Sequence, residues 1–314
     1  MIKARATLTA AGVAAVALLA AGCGSEAPSE GAIQATGSAT VEPITSYMAN
    51  RYDFDVNVEA IGSNDGFEKF CNGEADINNA SISIPGAGDE VDFQKQCADN
   101  NVEYIELPIG LDAITIVKHR DNDWATDLSI QQIHDIWSVD SPVTRWSDID
   151  PSWPDEEIAL YGRPQGSGTL DVFKQLVLDG DEIREDYQAT DDIQELSEWV
   201  ADDVNALSFM GIGNYLETDE EARDVIDNVR VDGIEPTAEE TQSGNYPLAR
   251  PLFIYVNEES ANREDVDEFV TTYLDNAEAV MPRLFFYQLP EDEYGRVKER
   301  YAERTTGPDD QWHI

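Results

Sequence analysis

The sequence predicts an α/β protein built as two lobes that the chain links by crossing between them twice. Three stretches carry this reading: 33–48, 55–71 and 158–177 each run from a short apolar or alternating segment, through a turn rich in Gly, Ser and Thr, into apolar residues at helical spacing. Two extended apolar runs, Ile109–Val117 and Tyr246–Val256, stand between sets of such units and read as the passages from one lobe to the other and back. The length, 314 residues with 41% apolar, suffices for two domains with real cores.

The first residues read as a targeting segment. Lys3 and Arg5 form a basic start, and Ala10–Ala21 is an apolar stretch too short to span a membrane as a mature helix. It ends at Leu19-Ala20-Ala21-Gly22-Cys23, which resembles a bacterial lipoprotein box, with Ala20 where Leu is usual. That pattern implies removal of 1–22, lipidation of Cys23 and a flexible tether over 23–32; ordinary secretory cleavage beside an incidental cysteine is the alternative. Setting Cys23 aside leaves Cys71 and Cys97. In an exported chain two cysteines suggest one disulfide, here closing a loop of about 27 residues and contributing ~3 kcal/mol. Two free buried thiols are the alternative. His119, His134 and His313 lack ligand-like spacing, so neither a metal nor another cofactor is expected.

From Ile33 the elements follow in order. Ile33–Thr36 is a strand, Gly37-Ser38-Ala39-Thr40 a turn, and Ile44, Tyr47 and Met48 mark a helix. Asp55–Ile61 alternates like a strand, Gly62-Ser63-Asn64-Asp65-Gly66 turns, and Phe67, Phe70 and Cys71 mark the next helix. Ala75–Ala80 is a strand closed by Ser81-Ile82-Ser83. A helix over 89–100, a strand over 102–107 and the first crossing come next. The second lobe holds a helix at 128–137, a loop at 148–157, a strand at 158–162, helices at 170–178 and 193–201, a strand at 206–210 and a short helix after Gly211. The return crossing leads to helices at 262–281 and 291–304.

The third turn, Arg163-Pro164-Gln165-Gly166-Ser167-Gly168-Thr169, has the chemistry of an anion site. The first turn of a helix carries N–H groups without intrahelical partners, and the helix dipole favours negative charge there. Ser167 and Thr169 add hydroxyls, and Arg163 adds a planar fork suited to phosphate. No Lys follows, which excludes the phosphate loop of nucleotide hydrolases. A plain capped helix, with Ser167 as N-cap and Arg163 in a surface pair, is the alternative. Three such turns and a serine-bearing strand end lie at the carboxyl ends of strands, where open α/β sheets bind ligands.

Charge limits the partners. Acidic residues number 64 against 20 basic, a net −44, which argues against nucleic acid and anionic lipid surfaces. The excess resembles the acidic surface of proteins from salty habitats, where about 1 M salt shortens the Debye length to ~3 Å. An anion must then be held by local donors against the global field.

The ordered set Gly37-Ser-Ala-Thr-Val41, Gly62-Ser-Asn-Asp-Gly-Phe67, Phe70-Cys-Asn-Gly-Glu-Ala-Asp-Ile77, Arg163-x-x-Gly-Ser-Gly-Thr169 and Pro247-Leu-Ala-Arg-Pro-Leu-Phe-Ile-Tyr-Val256 resembles the phosphate-binding proteins of the bacterial phosphate ABC transporter. Each motif is weak alone; together they span the mature chain. The resemblance implies a type II periplasmic-binding-protein fold, with lobe I at 33–112 and 247–314, lobe II at 113–246 and a closing ligand cleft between them. It implies a monomer, not an enzyme, that captures inorganic phosphate and delivers it to an ABC permease, held at the membrane only by its lipid. By motif, Ser38, Ala39 (through its backbone), Thr40 and Ser63 would bind from lobe I, and Arg163, Ser167, Gly168 and Thr169 from lobe II. In related proteins Cys71 and Cys97 pair.

Two departures stand out. Ala39 replaces a common Ser, and Ile82 stands where relatives place Arg or an Asp that accepts the proton of hydrogen phosphate. Asp65, in a site loop, is a candidate replacement acceptor, or else caps its helix; Asp112 is another conceivable acceptor. The competing functions are binding of another oxyanion (sulfate, molybdate, a phosphonate) and, less well supported, a serine phosphatase or hydrolase. For the latter, Ser167 lacks the Gly-x-Ser-x-Gly elbow because Gln165 and Thr169 occupy the flanks.

Overall fold

A computed structural model describes residues 31–312. The targeting segment and Cys23 lie outside the described residues, as does most of the expected tether; Ala32, at its end, is already buried.

Lobe I begins with β1 (Ile33–Gly37), α1 (Glu42–Tyr52), β2 (Val56–Ala60), α2 (Ser63–Cys71), β3 (Ile77–Ala80) and α3 (Phe93–Asp99). β1 pairs in parallel with β2 and β3, so the carboxyl ends of these strands and the turns to α1 and α2 share one edge. α3 starts later than expected at 89, because Asp89 accepts the Gly86 N–H in a turn and Asp92 caps the helix by accepting from Lys95 N.

β4 (Tyr104–His119) is one sixteen-residue strand where the sequence suggested two segments broken at Pro108. Pro108 has no N–H for the ladder, and the pairing absorbs this by a register shift opposite Leu252/Phe253. Its first part pairs with the return strand, and Ile114–His119 pair with two later strands. Only Asp112 and His119 of its sixteen residues escape full burial, so Asp112 is the one partly exposed residue in the interior of the strand.

After β4 come β5 (Asp127–Leu128), α4 (Ile130–Trp137), α5 (Trp146–Ile149), β6 (Ala159–Gly162), α6 (Gly168–Val177), β7 (Gln188–Ala189), α7 (Ile193–Asp202), β8 (Ala206–Gly211), α8 (Ile212–Glu217), α9 (Glu220–Arg223), β9 (Ile226–Val231) and α10 (Ala238–Gln242). Leu128 is a strand residue rather than the expected start of a helix, because Ser129 caps α4. The expected loop at 148–157 opens on the end of α5. β9 escaped the sequence reading: Asp227, Asn228 and Arg230 interrupt its apolar residues, yet Ile226, Val229 and Val231 are fully buried.

The return passage starts as backbone rather than strand. Leu248 O accepts from Ile114 N, the buried Tyr246 hydroxyl donates to Ile114 O, and β10 (Ala249–Asn257) then runs antiparallel between β3 and β4. α11 (Glu264–Val280) and α12 (Glu293–Ala302) close lobe I, α11 flanked by short 3-10 turns where a continuous 262–281 helix was expected; Pro282 stands in the second of them.

The strand order is β2-β1-β3-β10-β4-β8-β6-β7, with β9 beside β4 and β5. Each lobe has its own core. One gathers Ile33, Ile77, Ile105, Leu252 and Phe269; the other gathers Ile116, Trp137, Trp146, Phe173 and Phe209. Two anchors fix the site helices. Phe173 of α6 stacks on Phe209 of β8 at 4.1 Å, and Phe67 of α2 meets Tyr255 edge-on at 4.9 Å. Cys71 and Cys97 form a disulfide joining α2 to α3.

Candidate functional site

The wall supplied by lobe I is a chain of hydroxyls. β1 ends at Gly37 with φ +116°, where a Cβ would stand 2.1 Å from Asn79 O, so only glycine fits. The next residue, Ser38, is buried; its N–H donates to Asn79 O and its Oγ to Ser81 Oγ at 3.1 Å. Ser63 Oγ lies 3.4 Å from the same Ser81 Oγ and accepts from Ser81 N at 3.1 Å. Thr40 N donates back to Ser38 Oγ. Three turns far apart in sequence thus share one hydroxyl cluster. Ser81 is its hub; the sequence marks its strand end as one of those that face a ligand but gives Ser81 itself no contact, and the clue to its place is a serine directly after a fully buried strand.

The wall supplied by lobe II is a charged turn. Arg163 follows β6, and its guanidinium donates to Asp191 O at 2.8 Å and reaches Asp191 Oδ1 at 3.4 Å. Its Nε donates to Ser167 Oγ at 3.4 Å. Burial lowers the Arg163 pKa, opposed by Asp191 and Asp192. Tyr187 holds the turn by donating to Arg163 O. α1, α2 and α6 all begin without a side-chain hydrogen bond at the N-cap. The first turn of α1 is nonetheless bonded through backbone, Glu42 N to Ser38 O and Thr45 N to Val41 O, whereas the first N–H groups of α2 and α6 stay open.

The two walls meet. A Cβ on Gly168 would stand 3.2 Å from Thr40 Oγ1, which places the turn of lobe I against the first residue of α6. Thr169 lies near Gly211, one residue along the same turn. Ala39 is exposed on its turn. Asp65 is exposed on the first turn of α2, whose N-cap is Gly62; its carboxylate forms no hydrogen bond with a described residue. Ile82 packs on the apolar cluster around the disulfide, which accounts for an apolar side chain there.

Behind Thr40 sits a buried ion pair. Arg250 faces Asp112 across the β10–β4 ladder, and its Nε lies 3.5 Å from Asp112 Oδ2. Burial pushes the Asp112 carboxyl above the ordinary Asp range, with Arg250 pulling it back; burial pulls Arg250 down, and Asp112 holds it up. A cavity of about 870 Å³, lined in part by Ser81, Ile82, Gln175 and Arg250, opens beside this pair. Among the described residues no cluster of three or more His, Cys, Asp or Glu is placed to hold a metal ion.

Residues 24–275 match the model of the PBP superfamily domain. The chain is 34% identical to Protein SphX of Synechocystis over 94% of this chain and 90% of that one. It is 31% identical to the phosphate-binding protein PstS of Staphylococcus saprophyticus over 84% and 82%. The chain belongs to the phosphate-binding protein family. A solved structure described as a possible phosphate binding protein from Planctomyces limnophilus superposes with a TM-score of 0.80 at 28% identity, over 88% of this chain and 99% of that one. The type II periplasmic-binding-protein fold expected of this family is therefore the fold of this chain, with its cleft between the two lobes.

Proposed function

We propose that this phosphate-binding protein captures inorganic phosphate outside the cytoplasm and delivers it to an ABC import permease. The observation that carries the reading is the meeting of Thr40 with Gly168, which brings a hydroxyl turn and an arginine turn to one point. In this reading lobe I spans 33–112 and 247–314, lobe II spans 113–246, and the lobes close over a dehydrated anion. Ser38, Thr40 and Ser63 donate hydroxyl protons, Ala39 its backbone N–H, and Ser167, Gly168 and Thr169 the first turn of α6. Arg163 supplies the charge; each charge-assisted bond contributes about 1.5–3 kcal/mol. Such local donors work despite a net charge of −44 because they act at contact distance, where salt screens little.

The proton of hydrogen phosphate needs an acceptor. Asp65 fills that role in this reading, because it sits two residues after Ser63 with its carboxylate uncommitted. Sulfate has no proton to offer and would leave a carboxylate facing an anion. The protein acts as a binding monomer without turnover, lipid-anchored through Cys23. Calorimetric titration of the chain after Cys23, at high salt, tests the whole: tight phosphate binding with weak sulfate binding is expected. Preference for sulfate, or no phosphate binding by folded protein, would overturn the ligand. Asp65→Asn is expected to erode the preference for phosphate; an unchanged preference removes Asp65 from the role. Hydrolysis of a phosphate ester by metal-replete protein would overturn the non-enzymatic reading.

A further inference from the structure

We propose that Arg250 is a positioning residue of the anion site, which aims the Thr40 hydroxyl and ties it to α6 across the cleft. The inference rests on the phosphate reading above. Arg250 lies on β10 directly opposite Asp112 of β4, at the place where the chain passes between the lobes. Its side chain is 9% exposed and makes three separate contacts. Nε faces Asp112, one terminal nitrogen donates to Gln175 Oε1 of α6 at 3.2 Å, and the other donates to Thr40 Oγ1 at 3.2 Å. Gln175 belongs to lobe II and Thr40 to the first turn of lobe I, so one guanidinium spans both walls and the hinge.

The chemistry follows from what a hydroxyl can do. Thr40 Oγ1 has one proton and two lone pairs. Arg250 occupies a lone pair, because a guanidinium only donates. The Thr40 proton is then left free for an acceptor, and Oγ1 lies against Gly168 at the open start of α6. An anion seated there is that acceptor. A planar fork is required, since a lysine ammonium on a flexible stem does not hold three partners in fixed directions. Asp112 keeps the buried guanidinium charged and in register.

The test is a double-mutant cycle read by calorimetric phosphate titration. Wild-type protein is titrated first; absence of phosphate binding there defeats the functional reading, not this inference. In a phosphate-binding wild type, Arg250→Lys is expected to weaken phosphate binding about tenfold with Thr40 present and less than twofold in a Thr40→Val background. Thr40→Ser, which keeps the hydroxyl, is expected to restore the sensitivity to Arg250→Lys. An equal loss in both backgrounds, or none in either, overturns the proposal and leaves Arg250 a structural residue. If Arg250→Lys fails to fold, Gln175→Ala and Thr40→Val give a second cycle through residues that Arg250 joins. Their combined loss is expected to fall below the product of the separate losses; strict additivity overturns the proposal.

Discussion

Two helices of lobe II begin with a serine at the N-cap and use it in opposite ways. At α4, Ser129 Oγ accepts from Gln132 N at 3.1 Å while Gln132 Oε1 accepts from Ser129 N at 2.9 Å, a closed capping box. At α6, the Ser167 hydroxyl bonds none of its own helix N–H groups and instead accepts from Arg163. A cap of the first kind contributes about 1 kcal/mol of stability. Leaving it out keeps the N–H groups at the start of α6 available, with the Arg163 guanidinium against Ser167 and the Asp171 carboxylate in the same first turn. The difference separates a serine that caps its helix from a serine that the proposed reading gives to the anion, although both read alike in sequence.

The sharpest way to break this comparison is to remove the charge. Arg163→Ala is expected to weaken phosphate binding roughly 100-fold or more, from the loss of bonds of about 1.5–3 kcal/mol each. A titration showing less than a fivefold loss would mean that α6 holds its anion without Arg163. Next in size, Ser129→Ala should lower unfolding free energy by about 1 kcal/mol in urea while leaving phosphate affinity unchanged. Ser167→Ala should do the reverse: stability within about 0.5 kcal/mol of the parent, affinity several-fold weaker. If the two serine variants behaved alike, the distinction between cap and site would fail. The smallest effect concerns Asp191, which is 78% exposed and holds Arg163 at 3.4 Å. Asp191→Asn should leave stability nearly unchanged, as exposed pairs contribute about 0–1 kcal/mol, and should tighten phosphate binding a few-fold at low salt by freeing the guanidinium. That gain should shrink as salt rises, because screening weakens exposed pairs; stopped-flow association rates across a salt series would check it.

Much of the fold was legible. Gly37, Gly62 and Gly166 all adopt positive φ within the turns the sequence marked, and the helices after them carry their apolar residues on the buried side as the spacing indicated. β9 was not legible, because strand pairing with β4 rather than local propensity holds Asp227 and Asn228 in extended backbone. Nor was the continuity of β4 through Pro108, which a register shift against β10 accommodates. In the site, residue types could be read but not partners. Ser81 stood in plain view beside Ala80, yet its place as hub depends on three strands lying side by side.

The sequence by itself determined the local units, the glycine positions, the acidic surface and the family, since each depends on residue type and near neighbours. Only the tertiary structure decided which charges meet. Sixty-four carboxylates could have faced any of the arginines. Sheet register chose Asp112 for Arg250 and the parallel pairing of β6 with β7 brought Asp191 to Arg163, because contacts between residues distant in sequence exist only once strands have paired and their side chains have been assigned a face.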